Sequence, residues 1–321
     1  MSLFFPESKL KSTVSLAKFH RQRNKILICR ETGGLGDILM HRQMFEDFKK
    51  VMPEAEIHFA LPKQYHEAVQ DHPFIDKILD SKVVNQFDYV ISYNTTSACT
   101  RHEMKQAPFS DKNRSDIWAN HCGVLLTRHD MHIHLSEEEL QYGIEAVAKI
   151  KTSEGPSVAI CPISAMTTKN LTEIQQKFIL DTLKDRGYFA FGLHNKALPY
   201  FLHNNIPLIS NVNIRQWMAV LAASDYVIAV DTASFHFAGG YQKPLMGIFT
   251  FADGKVYGKY YDFVLVQKHR DDGNWECGPC YNWGCCSKTK KSPKPCLTEI
   301  TTEMLQVGID KLFKKWPTQD K

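Results

Sequence analysis

The chain has 321 residues, 43% of them hydrophobic and 23% charged, with a formal net charge of +4. That length suffices for two domains at ~150 residues each, and the composition is that of a globular protein, not a disordered or fibrous one. No apolar run approaches the ~20 residues needed to span a bilayer. The first 25 residues place a short apolar stretch before basic residues, the reverse of a secretory signal, which predicts a cytoplasmic protein with a basic lead-in. The mild positive balance suits an anionic ligand without demanding one.

In chain order, KILICR (25–30) predicts a strand. Ile38, Leu39, Met44, Phe45, Phe48 and Val51 recur at helical spacing, so one helix is expected over 38–52, ended by Pro53. EIHFAL (56–61) predicts a second strand, 64–72 a short helix, and IDKILD and FDYVISY (87–93) further strands. Residues 94–135, rich in His, Arg and Asn, predict loops around short helices. Residues 136–150 predict a clear helix, with Ser136 and Glu139 spaced as a capping box. The polar, Gly- and Pro-containing stretch 151–157 predicts a linker.

A second alternating series follows. Strands are expected at 158–163, 188–193, 226–231 and 244–249, with helices at 170–187, from 213 to 225, from Ala233 onward, and finally over 297–315. Strand-helix alternation predicts parallel sheets covered on both faces. Two such series predict an α/β protein of two doubly wound domains, 1–150 and 156–321. Ligands of such sheets bind at the carboxyl ends of the strands, so the cleft between the domains is the expected site.

The turn after the first strand carries Gly33, Gly34 and Gly36, then Asp37. The glycine spacing is wrong for a dinucleotide fingerprint, which makes a nicotinamide-dependent oxidoreductase the weakest reading. Glycines do let a backbone pass close to a ligand, and Asp37 opens the following helix. The plain alternative is that Asp37 only caps it.

The series 33–40, 45–61 and 72–79 is similar to the N-terminal half of the heptosyltransferase family, glycosyltransferase family nine; Pro53, Ala55, Ile57, Pro73, Ile75 and Asp76 match its pattern. In the second half, Asp231, Thr232, His236, Ala238, Pro244 and Phe249 match another family motif, with Ala233 where a glycine is usual. The segment 161–172 resembles a loop that carries a nucleotide-contacting lysine, here Lys169. The likeness spans roughly residues 25–310 and implies a GT-B fold, two facing Rossmann-like domains with acceptor on the first and nucleotide-sugar on the second. It implies Asp37 as general base for an inverting transfer, with Gly33, Gly34, Gly36 and His41 on the acceptor side. His41 is otherwise read as an exposed side chain. Asp231, Thr232, Ala233, Ser234 and Lys169 are the expected donor side, with His236 holding the loop; capping by Thr232 and Ser234 and a solvated Lys169 are the plain alternatives. A helix opening after a strand can bind diphosphate through backbone N–H groups without a metal, and with no Asp-x-Asp pair in a fitting context no catalytic Mg²⁺ is called for. The family's nucleoside-holding glutamate is replaced by His194 and Asn195, so the donor base stays open.

Of nine cysteines, Cys29, Cys99, Cys122 and Cys161 are scattered as small hydrophobes, and five lie between 277 and 296. Cys277, Cys280, Cys285 and Cys296, with Cys286 as an alternative third thiol, have a spacing that suits four thiolates around a structural Zn²⁺ or iron. The family pattern at this place is similar, and some autotransporter heptosyltransferases hold iron there. Reduced cysteines without an ion are the alternative. The adjoining Lys288, Lys290, Lys291 and Lys294 are read as a solvated loop, or as a surface for a phosphorylated acceptor or a nucleic-acid backbone. The leading expectation is an inverting glycosyltransferase using a nucleoside-diphosphate sugar, heptose or hexose, and a glycan, lipopolysaccharide-core or protein hydroxyl. The alternatives are a transferase acting on modified DNA bases and a non-catalytic nucleotide-sugar or nucleic-acid binding protein.

Overall fold

The computed structural model describes residues 24–107, 110–268, 279–281 and 295–318. Strand β1 (Lys25–Cys29) is buried along almost its whole length, as expected for an aliphatic strand covered on both faces. It pairs in parallel with β2 (Glu56–Leu61), and β2 with β3 (Lys77–Asp80), while β4 (Ile91–Asn94) pairs on the other side of β1. The first sheet therefore runs β3-β2-β1-β4.

The second sheet contains β5 (Ser157–Cys161), β6 (Phe189–Leu193), β7 (Leu208–Ile209), β8 (Tyr226–Val230), β9 (Leu245–Ile248) and β10 (Val264–Val266), all parallel. Its order is β10-β9-β8-β5-β6-β7. Read outward from β1 in the first sheet and from β5 in the second, both follow the doubly wound plan, and the order reverses between β1 and β4 in the first and between β5 and β8 in the second. The crevice outside the strand ends at such a reversal is where open α/β sheets bind ligands.

The helical segment expected over 38–52 starts earlier and is divided. Helix α1 spans Leu35–His41, a 3₁₀ turn covers Arg42–Met44, and α2 spans Phe45–Val51. The expected strand over 87–93 is paired only from β4 onward; before it, Asn85 caps a 3₁₀ turn at Gln86–Asp88 by accepting from the Phe87 amide. Within 94–135 lie α3 (Ala98–Gln106) and α4 (Arg114–His121). Helix α5 (Glu137–Ile150) opens with both hydrogen bonds of the Ser136–Glu139 capping box.

In the second lobe, α6 (Glu173–Asp185), α7 (Pro199–His203), α8 (Ile214–Ala223), α9 (Ala233–Gly240) and α10 (Gly254–Tyr257) surround the sheet. The expected last helix is two: α11 (Pro295–Thr298) and α12 (Thr302–Lys315). The Thr301 hydroxyl accepts from the Met304 amide, so α12 begins afresh. Short α7, β7, α10 and β10 carry no periodic signal and were not expected.

The lobes share one core. A continuous apolar cluster includes Ile28 and Phe59 of the first sheet, Trp118 of α4, Trp217 of α8, and Phe237 and Phe249 of the second lobe. Helix α5, the last before the expected 151–157 linker, packs on α8 from beyond it. This shared burial brings the two sheet reversals face to face.

Candidate active site at the facing sheet ends

Asp37 lies in the first turn of α1, directly after β1. Its side chain is 15% exposed and held by two guanidinium groups: Arg30 Nη2 donates to Oδ2 at 2.7 Å and Arg114 Nη1 to Oδ1 at 2.7 Å. Arg30 ends the run of β1, and its Nη1 also donates to the Thr95 and Thr96 carbonyls at 3.3 and 3.2 Å, beyond β4. The pair thus spans the reversal between β1 and β4. Burial alone would raise the Asp37 carboxyl, but the Arg114 and Arg30 charges hold it down to about 2. Asp37 is ionised over the whole physiological range. It does not merely cap α1, because both its carboxylate oxygens are taken by guanidinium groups.

The glycines have separate uses. Gly33 sits at φ 137°, and a Cβ there would lie 2.7 Å from Arg30 Nη2 and 3.0 Å from Asp37 Oδ2. Any larger residue would collide with the ion pair. A Cβ on Gly36 would lie 3.0 Å from His236 Cδ2 and 3.5 Å from the Ala233 amide nitrogen. Gly36 is therefore the point at which the first lobe's loop meets the start of α9 in the second. Gly34 has open space around it.

His41 does not face an acceptor and is not exposed, which corrects both expectations for it. It is fully buried, stacked on Trp118 with ring centroids 3.7 Å apart. Its Nδ1 lies 2.7 Å from the Asp37 carbonyl oxygen and its Nε2 3.0 Å from Thr95 Oγ1. Burial, with the nearby Arg30 charge, pushes it down to about 3, against the pull of that carbonyl. The ring is neutral; a carbonyl only accepts, so Nδ1 carries the proton and Nε2 faces the Thr95 oxygen, whose own hydroxyl donates to the Cys29 carbonyl at 3.0 Å. An i to i+4 turn of α1 placed His41 inward, and the sequence offered no sign of the Trp118 face that receives it.

At the second reversal, Lys169 follows β5 and Asp231 follows β8. Lys169 Nζ lies 2.8 Å from Asp231 Oδ2 and 5.4 Å from the Phe251 ring centroid. The lysine side chain is 12% exposed, so it is not a solvated surface residue. Burial would raise Asp231, but Lys169, then His236 at 3.8 Å, hold it far below the ordinary carboxylate range. Thr232 caps α9, its hydroxyl accepting from the Ser234 amide at 3.2 Å. Ser234 is buried, while Ala233 is half-buried in the first turn, where amides lack an intrahelical acceptor. His236 is buried, with Nδ1 3.4 Å from the Tyr261 hydroxyl.

Two residues of this site were missed by the sequence reading. Arg30 carried a signal, a charged residue closing a buried strand. Arg114 carried none, because it comes from the irregular region and reaches Asp37 across 77 positions.

The cysteine cluster falls largely outside the described residues. Cys277, Cys285 and Cys286, like Lys288, Lys290, Lys291 and Lys294, fall outside the described residues. Cys280 is half-buried and Cys296 buried. Among the described residues no group of three or more His, Cys, Asp or Glu side chains could hold a metal, and no helix is long and apolar enough to cross a membrane.

No protein-family model and no curated protein matches the chain. Solved structures do. A glycosyl transferase family 9 protein from Veillonella parvula DSM 2008 superposes with a TM-score of 0.67 at 13% identity, over 91% of this chain and 97% of that one. The E. coli ADP-heptose lps heptosyltransferase II gives 0.65 at 12% identity, over 92% and 100%. The iron-containing dodecameric glycosyltransferase TibC from enterotoxigenic E. coli H10407 gives 0.70 at 15% identity, over 92% and 77%. At such identities the likeness is one of fold, and the chain has the GT-B architecture of these glycosyltransferase family nine and heptosyltransferase structures.

Proposed function

We propose that the chain is an inverting glycosyltransferase that moves a sugar from a nucleoside-diphosphate sugar to an acceptor hydroxyl. The observation that carries this reading is the meeting of two sheet reversals. An ionised carboxylate, Asp37, opens α1 on one side; a lysine and the first turn of α9 stand on the other, within contact of Gly36. The fold shared with heptosyltransferases supports it.

The donor diphosphate binds against the first turn of α9 and Lys169. The backbone amides and the helix dipole favour the anion, and Lys169 shifts its charge from Asp231 to the phosphates. These groups stabilise the nucleoside diphosphate as it leaves. The acceptor hydroxyl donates a hydrogen bond to Asp37. A carboxylate held near 2 takes little proton from a resting alcohol, but the hydroxyl acidifies as its oxygen bonds the anomeric carbon, and Asp37 accepts the proton then. One in-line displacement inverts the anomeric centre.

E. coli heptosyltransferase WaaC is known with ADP and with ADP-2-deoxy-2-fluoro heptose, so adenosine diphosphate is the first donor nucleotide to test, although His194 and Asn195 replace the family's glutamate. A heptose or hexose, and a hydroxyl on a glycan, lipopolysaccharide core or protein, are the substrate classes that follow. Separately from the chemistry, TibC is an iron-containing relative in fold, and Cys277, Cys280, Cys285 or Cys286, and Cys296 are proposed to hold a structural iron or zinc; about one metal per purified chain by elemental analysis is the expected result.

The test is a thermal-shift panel of ADP, UDP, GDP and CMP forms, followed by turnover of the corresponding sugars. One nucleoside diphosphate is expected to raise the melting temperature of the native chain. If none does, while NAD or DNA does, the transferase reading falls.

A further inference from the structure

Behind Asp37 lies a second, sealed layer of polar groups. Glu103 on α3 is fully buried, yet it is a carboxylate with no access to water. Arg114 Nε donates to its Oε1 at 2.7 Å and Arg114 Nη2 to its Oε2 at 2.8 Å. This two-pronged grip fixes the rotation of the guanidinium plane, and the remaining nitrogen, Nη1, is the one that reaches Asp37. A buried ion pair of this kind adds little stability compared with apolar packing, so its geometry asks for another explanation.

The layer is completed from the other lobe. The hydroxyl of Tyr257, the last residue of α10, donates to Glu103 Oε1 at 2.9 Å. Its ring lies under the Arg114 guanidinium, with Cζ 4.8 Å from the centroid. Tyr257 is itself buried. Asn113, which caps α4 immediately before Arg114, donates its side-chain amide to the Val256 and Tyr257 carbonyls, each at 3.0 Å. Helix α10 of the second lobe is thus docked at the root of the arginine that aims Asp37.

We propose that Glu103 and Tyr257 are positioning residues that set the Arg114 fork, and through it the Asp37 carboxylate, only while the second lobe is docked on the first. Separation of the lobes removes the hydroxyl from Glu103 and the ring from Arg114 together. The guanidinium then regains rotational freedom, and Asp37 loses one of its two fixed donors. The carboxylate is in reacting geometry only when the lobe that carries the donor is in place. The catalytic meaning of this coupling rests on the transferase reading; the coupling itself does not.

The experiment uses Tyr257→Phe, which keeps the ring and removes the hydroxyl, with Glu103→Gln as a second variant. The first readout needs no substrate: the side-chain ¹⁵N signals of Arg114, assigned by their loss in Arg114→Lys. Hindered rotation with separate Nη signals is expected in the native chain, and averaged signals with faster Nε–H exchange in both variants. The second readout is turnover. Tyr257→Phe is expected to lower kcat about 10- to 100-fold with donor KM unchanged, and to have no further effect in an Asp37→Asn background. Unchanged Arg114 signals in both variants would overturn the proposal, as would a Tyr257→Phe loss that persists without Asp37. If no nucleotide-sugar turns over, the transferase reading fails while the Arg114 signals still decide the coupling.

Discussion

Each sheet ends, at its reversal point, in a carboxylate met by cations, but the cations differ. Asp37 lies between two guanidiniums, one of them gripped from behind by Glu103. Asp231 faces a single ammonium, Lys169, with His236 further off. A guanidinium is a planar fork that fixes direction, whereas an ammonium is a point charge on a flexible stem. The first centre is therefore built to stay as it is. The second can hand its cation to an arriving anion and take it back. Under the proposed transferase reading, the difference matches an acceptor side that aims a carboxylate and a donor side that binds and releases a diphosphate.

The largest effect should come from the aimed carboxylate. Asp37→Asn keeps the shape and removes the charge, and turnover should fall on the order of 10²- to 10⁴-fold while nucleotide-induced thermal shifts stay as they are. A variant that still turns over normally would make the first centre structural and erase the contrast.

Removing the fork should cost stability. Arg114→Met leaves Glu103 ionisable and buried without its partner, a loss of about 3–5 kcal/mol by urea denaturation. Arg114→Lys restores charge but not direction, so it should recover part of that stability and little of the turnover. Equal recovery of both would show that direction is not what the arginine supplies.

At the second centre, Lys169→Ala should weaken nucleoside-diphosphate binding by about tenfold, near 1.4 kcal/mol, read by titration calorimetry. Lys169→Arg tests the exchangeable character. A guanidinium that locks onto Asp231 should bind the diphosphate more weakly than the native lysine. If it binds better, Lys169 is not handed over.

Acid stability probes the first centre without any substrate. His41 and Asp37 both have folded values below their unfolded ones, 6.5 to about 3 and 3.8 to about 2. A depressed group contributes stability that is complete above its unfolded value and is lost as pH falls toward its folded value. Stability should therefore begin to decline below pH 6.5 through His41 and the likewise buried His72, then steepen below 3.8 through Asp37 and Asp231. His41→Gln should remove its own share of the upper decline in denaturation curves taken at stepped pH, leaving the His72 share and the lower part.

Much of the fold was legible because it is periodic. β1, β2, β5, β6, β8 and β9 are buried, largely apolar runs, and the capped amphipathic α5, α6 and α8 announce themselves by their first residues. The short α7, β7, α10 and β10 were not, since two to five residues give no period to read. At the site, the glycine turn that carries Asp37 was legible in the sequence, whereas Lys169 was picked out only through the family likeness. His41 was misread, because one side chain's inward or outward direction depends on which face of α1 meets Trp118.

By itself, the sequence determined two alternating series, the positions of their strand ends, and the glycine-aspartate turn, since these follow from local spacing and backbone preference. Only the tertiary structure decided what the turn is for. Gly33 is small because Arg30 crosses it, Gly36 because α9 begins beside it, and Asp37 stays ionised because Arg114 arrives from 77 residues away. Charge interactions act through space at a few ångströms, and no spacing along the chain records them.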